Sequence, residues 1–221
     1  MELAELAVQK ALSKGATEAE AYTQKATTIR VEFSEEIENF KAVETIGTSL
    51  RVALGKKTAM YSTSVLNERE ISEAAAKAVK IAKVAPEDPD WKHINERFGK
   101  APAKGYYDDT LESLDYQEIV ETLSSAINRM KSYDKRVKPT RGFLVTSISK
   151  VSIANSYNES CERKETGIGV WMRTKAEEAQ KKSTGTEDQQ ARFWKEIKFE
   201  DLAVKAADKA VRFLRAKPIS G

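Results

Sequence analysis

The feature that most constrains this chain is a pattern that occurs twice, 120 residues apart. Val31 meets Val151 on that offset, and Gly47 meets Gly167. Around each pair the hydrophobic period changes in the same order. A helical stripe comes first, then runs that alternate with period two, then a second helical stripe. Consecutive strands joined by short turns run antiparallel, and each apolar helix face must find a sheet to cover. The chain is therefore predicted to be α+β, with two helix–strands–helix units whose helices pack on largely antiparallel sheet.

The individual elements support this reading. Leu3, Leu6, Ala7, Val8, Ala11 and Leu12 form the first helical face, and Gly15 reads as its stop. Ile71, Ala75, Ala78, Val79 and Ala82 form the second, with Asn67 and Glu70 as a capping-box-like start and Pro86 beyond the end. Ile119, Leu123, Ile127 and Met130 form the third, opened by Asp115 and Glu118. Phe199, Leu202, Ala206, Ala210 and Phe213 form the fourth, followed by Pro218. Alternation marks Ile29, Val31 and Phe33, then Leu50, Val52 and Leu54, with residues 58–62 as a further strand. Gly47 and Gly55 bracket the second run and read as turn residues. In the second half the alternating residues are Phe143 and Val145, Val151 and Ile153, then Ile168, Val170 and Met172. Leu50-Arg51-Val52 overlays Val170-Trp171-Met172, and Ser62-Thr63 overlays Ser183-Thr184 with a slip of one residue. An internal duplication follows as the expectation, with one unit over residues 1–98 and a second over 99–221. The join, residues 85–110, holds Pro86, Pro89 and Pro102 together with Trp91, Phe98, Tyr106 and Tyr107. Such apolar anchors indicate an ordered surface connection rather than a flexible linker.

Composition removes several classes of function. No apolar run approaches the ~20 residues of a membrane span. Met1 to Glu5 lack the basic start and apolar core of a signal peptide. A single cysteine, Cys161, excludes an internal disulfide framework. A cytoplasmic protein is expected. The net charge is +3, but acids and bases are interspersed, whereas a nucleic-acid footprint clusters its basic residues among aromatics.

Several segments resemble the amino-terminal domain of the TldD/PmbA family, in the family's order. Leu12-Ser13-Lys14-Gly15-Ala16-Thr17-Glu18-Ala19-Glu20-Ala21 is similar to the end of its first helix. Gly47-Thr48-Ser49-Leu50-Arg51-Val52 is similar to its glycine-started strand, and Tyr61-Ser62-Thr63-Ser64 to its Ser-Thr-Ser turn. Ile81-Ala82-Lys83-Val84-Ala85-Pro86-Glu87-Asp88-Pro89 resembles the helix end of the PmbA (TldE) branch. The second half matches mainly through its order of elements. The resemblance implies a TldD–TldE system, in which a TldD subunit is a zinc peptidase acting on unfolded or modified peptides and a TldE/PmbA subunit pairs with it without a metal site. It also implies that the zinc motif, a His-Glu-x-x-x-His helix with a distant cysteine, lies in a carboxy-terminal half absent here. The chain is thus expected to be truncated, split or a separate short product. Its expected partners are a TldD-type subunit or the missing half, in a homo- or hetero-oligomer, with a peptide as substrate.

The residues of this chain carry no catalytic or metal site in this reading. Zinc catalysis takes about three protein ligands and one open position, and the sequence holds one histidine, His93, and one cysteine, Cys161. His93 is followed by Ile94-Asn95-Glu96, which is no helical zinc pair, and no serine is placed beside it for a triad. Gly167-Ile168-Gly169 is a fragment of a phosphate loop set in a strand, where glycine permits close packing. No cofactor is expected in this chain. The candidates for contact with substrate or partner are Arg51, Ser62, Thr63 and Ser64, and at the repeated position Ser183 and Thr184. Their alternatives are a solvated charge for Arg51 and backbone-satisfying turns for the hydroxyls. The expected function is a non-catalytic module that shapes a peptidase cleft and partner surface. The alternative is a nucleic-acid or DNA gyrase-associated regulator.

Overall fold

A computed structural model describes residues 2–99 and 104–216. Pro102 and Pro218 lie outside the described residues. The elements run α1 (Leu3–Ser13), β1 (Glu18–Phe33), β2 (Ile37–Leu54), β3 (Lys57–Thr63) and α2 (Glu68–Val84). After the join come α3 (Asp109–Ser113), α4 (Tyr116–Tyr133), β4 (Val137–Asn155), β5 (Ser160–Glu178), β6 (Lys181–Ala191), a single 3-10 turn (Trp194–Glu196) and α5 (Phe199–Phe213). The expected α+β class is observed, with helix–three strands–helix occurring twice. The strands form one antiparallel sheet in the order β3-β2-β1-β4-β5-β6.

Helix ends follow local chemistry. The Asn67 side chain accepts from the Glu70 backbone N–H at 2.9 Å, and the Asp115 side chain accepts from Gln117 at 3.3 Å. Each satisfies a donor that the first helical turn leaves open. Gly15 has φ +102° and ends α1, a conformation costly for residues with a Cβ. Gly55, at φ +59°, sits in the tight β2–β3 turn that brings Leu54 opposite Lys57. Gly47 is no turn residue. It lies inside β2, where an added Cβ would stand 3.3 Å from the Thr63 carbonyl oxygen.

The chain forms two compact units, each discontinuous in sequence. The first comprises residues 1–27, 44–103 and 149–164. Its core is rich in alanine: Ala4, Ala7 and Ala11 of α1 and Ala75, Ala78 and Ala82 of α2 pack with Leu50 and Val52 of β2. Small side chains let α1 and α2 approach each other and let α2 lie close on β3. The second unit comprises residues 28–43, 104–148 and 165–221. It buries Ile119, Leu123, Ile127 and Met130 of α4 against Val31, Phe33, Leu144, Val170 and Met172. Phe213, expected in the buried stripe of α5, is 58% exposed. Ala210 and Leu214 fill the inward positions of that last turn.

One ion pair clasps the start of β4 in the second unit. Asp134 accepts from Arg136 Nη2 at 2.7 Å and from Nε at 2.9 Å, and Arg136 Nη1 reaches Glu178 at 2.9 Å. The Arg136 guanidinium beside Asp134 holds its carboxyl well below the usual carboxylate range. A depressed folded-state value stabilises the protein above the unfolded pKa of about 3.9 and loses that stabilisation as pH falls toward the folded value. The stability advantage of the wild type over Asp134→Asn is therefore expected to be constant near neutrality and to shrink below about pH 4. Urea denaturation at a series of pH values measures it, and an advantage that persists unchanged to pH 2–3 would refute this assignment.

Candidate functional site: the sheet faces turned away from the helices

Side chains alternate across a strand, so each unit has a second sheet face that its helices do not cover. In the first unit this face carries Glu20, Tyr22 and Gln24 of β1, Gly47, Ser49 and Arg51 of β2, and Met60 and Ser62 of β3. The register places Ser49 opposite Ser62 and Arg51 opposite Met60. The Ser49 and Ser62 hydroxyls hydrogen-bond at 2.7 Å. Thr63 Oγ1 accepts from the Val65 backbone N–H at 3.2 Å and closes the turn into α2. Ser64 is exposed. Together with Gly47 these residues border a shallow depression of about 330 Å³. Ser62, Thr63 and Ser64 are thus brought together, with Ser62 presented on the open face.

Arg51 lies on the same face but is not a free surface charge. Its Nη2 donates to Glu20 at 2.7 Å, and its guanidinium stands 5.7 Å from the centre of the Trp91 ring. Trp91 belongs to the join, which turns at residues 88–91 and sets the indole against this face as a strap. The Asp88 N–H donates to the Lys56 carbonyl at 2.9 Å, and Lys56 Nζ donates to the Pro89 carbonyl at 3.0 Å. Ile94 is buried, Asn155 Nδ2 donates to the Asn95 carbonyl at 2.6 Å, and the Phe98 N–H donates to Glu159 at 3.0 Å. Over its described residues, 85–99 and 104–110, the connection expected from the aromatic residues is ordered, and Ile94 is an anchor the sequence reading missed. Tyr157 fixes the nearby β4–β5 turn by donating to Glu18, and this hydrogen bond pushes the phenol up to about 12.

The second unit shows a different face. Phe143 and Trp171 stack with centroids 5.5 Å apart and planes 17° from parallel. The Arg30 guanidinium lies 4.3 Å from the Phe143 ring centre. Phe143 and Val145 were expected to point into the core, but Leu144 is the buried residue there and its neighbours face outward. Beside the aromatic pair runs a trough of about 750 Å³ whose floor is Gly167 and Gly169. Gln190 of β6 lies opposite Gly169, and Asp188 opposite Trp171. Glu32 pairs with Arg30 at 2.8 Å, and its carboxyl is held below its ordinary value by Arg30 first and by Arg141 as well. Arg141 and Arg173 are exposed, and Thr140 Oγ1 donating to the Arg173 carbonyl at 3.1 Å brings their strands together. No reading of the sequence singled out this constellation. Its signal was an aromatic in outward phase, Trp171 between the buried Val170 and Met172.

The repeated serine position serves packing. Ser183 donates to the Ala210 carbonyl of α5, and Gly185 two residues later lies under the same helix. Thr184 points the other way and is exposed. Zinc does not fit the donors present. His93 Nδ1 lies 2.7 Å from the Ile94 carbonyl oxygen and 3.8 Å from Glu96, and Cys161 is an exposed free thiol. Among the described residues no group of three or more His, Cys, Asp or Glu is placed to hold a metal. Among them, too, no helix is long and apolar enough to cross a membrane.

Residues 19–82 match the PmbA/TldA metallopeptidase domain 1, and residues 109–214 match the PmbA/TldA metallopeptidase central domain. The chain belongs to the TldD/PmbA family, and carries these two of its domains in order. No curated protein matches it in sequence. Its fold is similar to TldE from Thermococcus kodakarensis, with a TM-score of 0.86 at 17% identity over 95% of this chain and 47% of that one. It is also similar to a candidate modulator of DNA gyrase from Thermotoga maritima, with a TM-score of 0.77 at 17% identity over 99% and 49% of the two chains. A second candidate modulator of DNA gyrase, from Bacteroides thetaiotaomicron, gives 0.81 at 16% identity over 98% and 50%. At these identities the likeness concerns the fold. The chain spans about half the length of the solved structures it matches.

Proposed function

We propose that this chain is a non-catalytic module of a TldD/PmbA-type zinc metallopeptidase system that handles unfolded or modified peptides in the cytoplasm. The observation that carries the reading is the family match across both domains, in a chain half as long as the similar structures. In this reading the outward sheet faces supply cleft and partner surface, and zinc is held by a TldD-type subunit or by a carboxy-terminal half. Arg51, Ser62, Thr63, Ser64 and Thr184 are the contact candidates, and Ser183 acts by holding α5. The two sequence halves, residues 1–98 and 99–221, descend from a duplication, which accounts for the repeated order of elements.

The purified chain is expected to retain no stoichiometric zinc after dialysis and to leave casein intact. His93→Ala is expected to change neither result. Elemental analysis and a casein assay check both. One zinc per chain that is lost with His93→Ala would overturn the reading. The names of the Thermotoga and Bacteroides proteins favour a second reading, a gyrase-associated regulator. That reading requires DNA affinity falling steeply with salt, because phosphate contacts release counterions.

A further inference from the structure

The join meets both outward faces, with Trp91 against Arg51 in the first unit and Tyr106 against Arg192 in the second, but the two faces carry different residues. The strap over the first unit reads Pro86-Glu87-Asp88-Pro89-Asp90-Trp91, three acids and two prolines ahead of an aromatic ring. It makes a turn in which the Trp91 N–H donates to the Asp88 carbonyl at 3.2 Å, is clasped at Lys56, and sets its indole against Arg51. At the position equivalent to Arg51 the second unit has Trp171, stacked on Phe143. Three guanidiniums surround that pair: Arg30 over the Phe143 ring, Arg141 two residues before Phe143, and Arg173 two residues after Trp171. Glu32 neutralises Arg30, which leaves Arg141 and Arg173 exposed beside the rings. Asp188 stands on the far side of Trp171, toward β6, and the trough itself is lined by one base and one acid, Arg192 and Glu196, so the excess positive charge lies at Arg141 and Arg173.

From this we infer that the trough floored by Gly167 and Gly169 binds an extended acidic peptide segment bearing an aromatic residue. Gly169 leaves room on the floor for a ring or a backbone, a Cβ there standing 3.6 Å from Gln190 Cγ, while the Ser147 hydroxyl lies close over Gly167. The Phe143–Trp171 pair offers an apolar wall against which an aromatic side chain packs edge or face. Arg141 and Arg173 meet the carboxylates, since guanidinium–carboxylate pairs combine charge with paired hydrogen bonds. Gln190 borders the floor with an amide that can donate and accept, which suits a peptide main chain. The chain's own strap sets an acidic segment with an aromatic ring against the first face. The inference rests on the reading of the chain as a peptide-handling module, and it adds the class of peptide and the place where it lies.

The test uses the whole chain and a fluorescein-labelled peptide of the strap sequence, residues 86–94, read by anisotropy. Gly169→Leu is the informative variant. A Cβ at Gly169 would meet Gln190 Cγ at 3.6 Å, an ordinary contact, so the fold is kept while the leucine fills the trough. Saturable binding is expected, weakened about tenfold or more by Gly169→Leu and by the surface pair Arg141→Ala with Arg173→Ala. It should weaken similarly when the peptide's Glu87, Asp88 and Asp90 become amides, or when its Trp91 becomes alanine. No saturation up to about 1 mM would overturn the inference. So would binding that ignores Gly169→Leu, which would place the peptide on the strapped face, or binding unchanged by loss of the acids. A single-stranded oligonucleotide that binds in preference to the peptide, and with the same sensitivities, would make nucleic acid the occupant and also overturn it. Zinc content and casein cleavage are separate readouts, so this inference and the proposed function fail independently.

Discussion

Replacing Phe33 with alanine is expected to destabilise the protein by about 3–5 kcal/mol, as loss of a fully buried phenylalanine does. The ring is 1% exposed and lies in the core of the second unit. It also covers Gly142 of β4. A Cβ added at Gly142 would overlap the ring itself, with Cδ2 at 2.9 Å. The glycine and the phenylalanine therefore fill one space between them. Gly142→Val alone is expected to be costly, because it displaces a core side chain. In the Phe33→Ala background the same valine enters an empty pocket and should recover part of the loss. Neighbours that share a cavity typically couple by about 0.5–3 kcal/mol. Urea midpoints of the four proteins give the coupling. Simple additivity of the two single changes would show that the ring does not occupy the glycine's space.

Gly185→Val is expected to cost about 3 kcal/mol, the upper part of the range for overpacking. For a chain of this size that lowers Tm by roughly 6–12 °C. Gly185 lies on β6 beneath α5, where an added Cβ would run into the Ala206 carbonyl and stand 2.6 Å from the Ala210 nitrogen. These are backbone atoms, so no side-chain rotation relieves the clash and the helix must lift. Two hydroxyls hold it in place: Thr174 donates to the Ala206 carbonyl at 3.0 Å, and Ser183 to that of Ala210. Both bonds should lengthen as α5 moves. Calorimetry measures the shift, and a Tm within about 1 °C of wild type would contradict so close an approach.

The helices were legible because each buries one stripe at a period that nothing else in a sequence produces. Ile119, Leu123, Ile127 and Met130 all lie where that period puts them. Phe213 does not, since Ala210 and Leu214 take the inward positions of that last turn. Strands were legible as runs but less so as faces. A two-sided sheet offers an apolar environment on both sides, so Phe143 and Val145 alternate convincingly while facing away from the helices. Gly47 and Arg51 show a second limit. Glycine marks close approach as readily as a turn, and the phase of Arg51 is correct without revealing that residues 88–98 lie over it. The Ser49–Ser62 pairing follows once the tight turn at Gly55 sets the register. The Phe143–Trp171 platform needs the register of two consecutive strands, and the outward phase of Trp171 was its one local signal.

The compact units do not coincide with the sequence halves: residues 28–43 belong to the second unit and residues 149–164 to the first. On the ribosome this imposes an order of events. At roughly 5–20 residues per second, residue 149 emerges several seconds after α2 is complete. Throughout that interval the alanine-rich core around Leu50 and Val52 has its helices but not Ala154. The first unit therefore completes its core only after most of the chain has been synthesised.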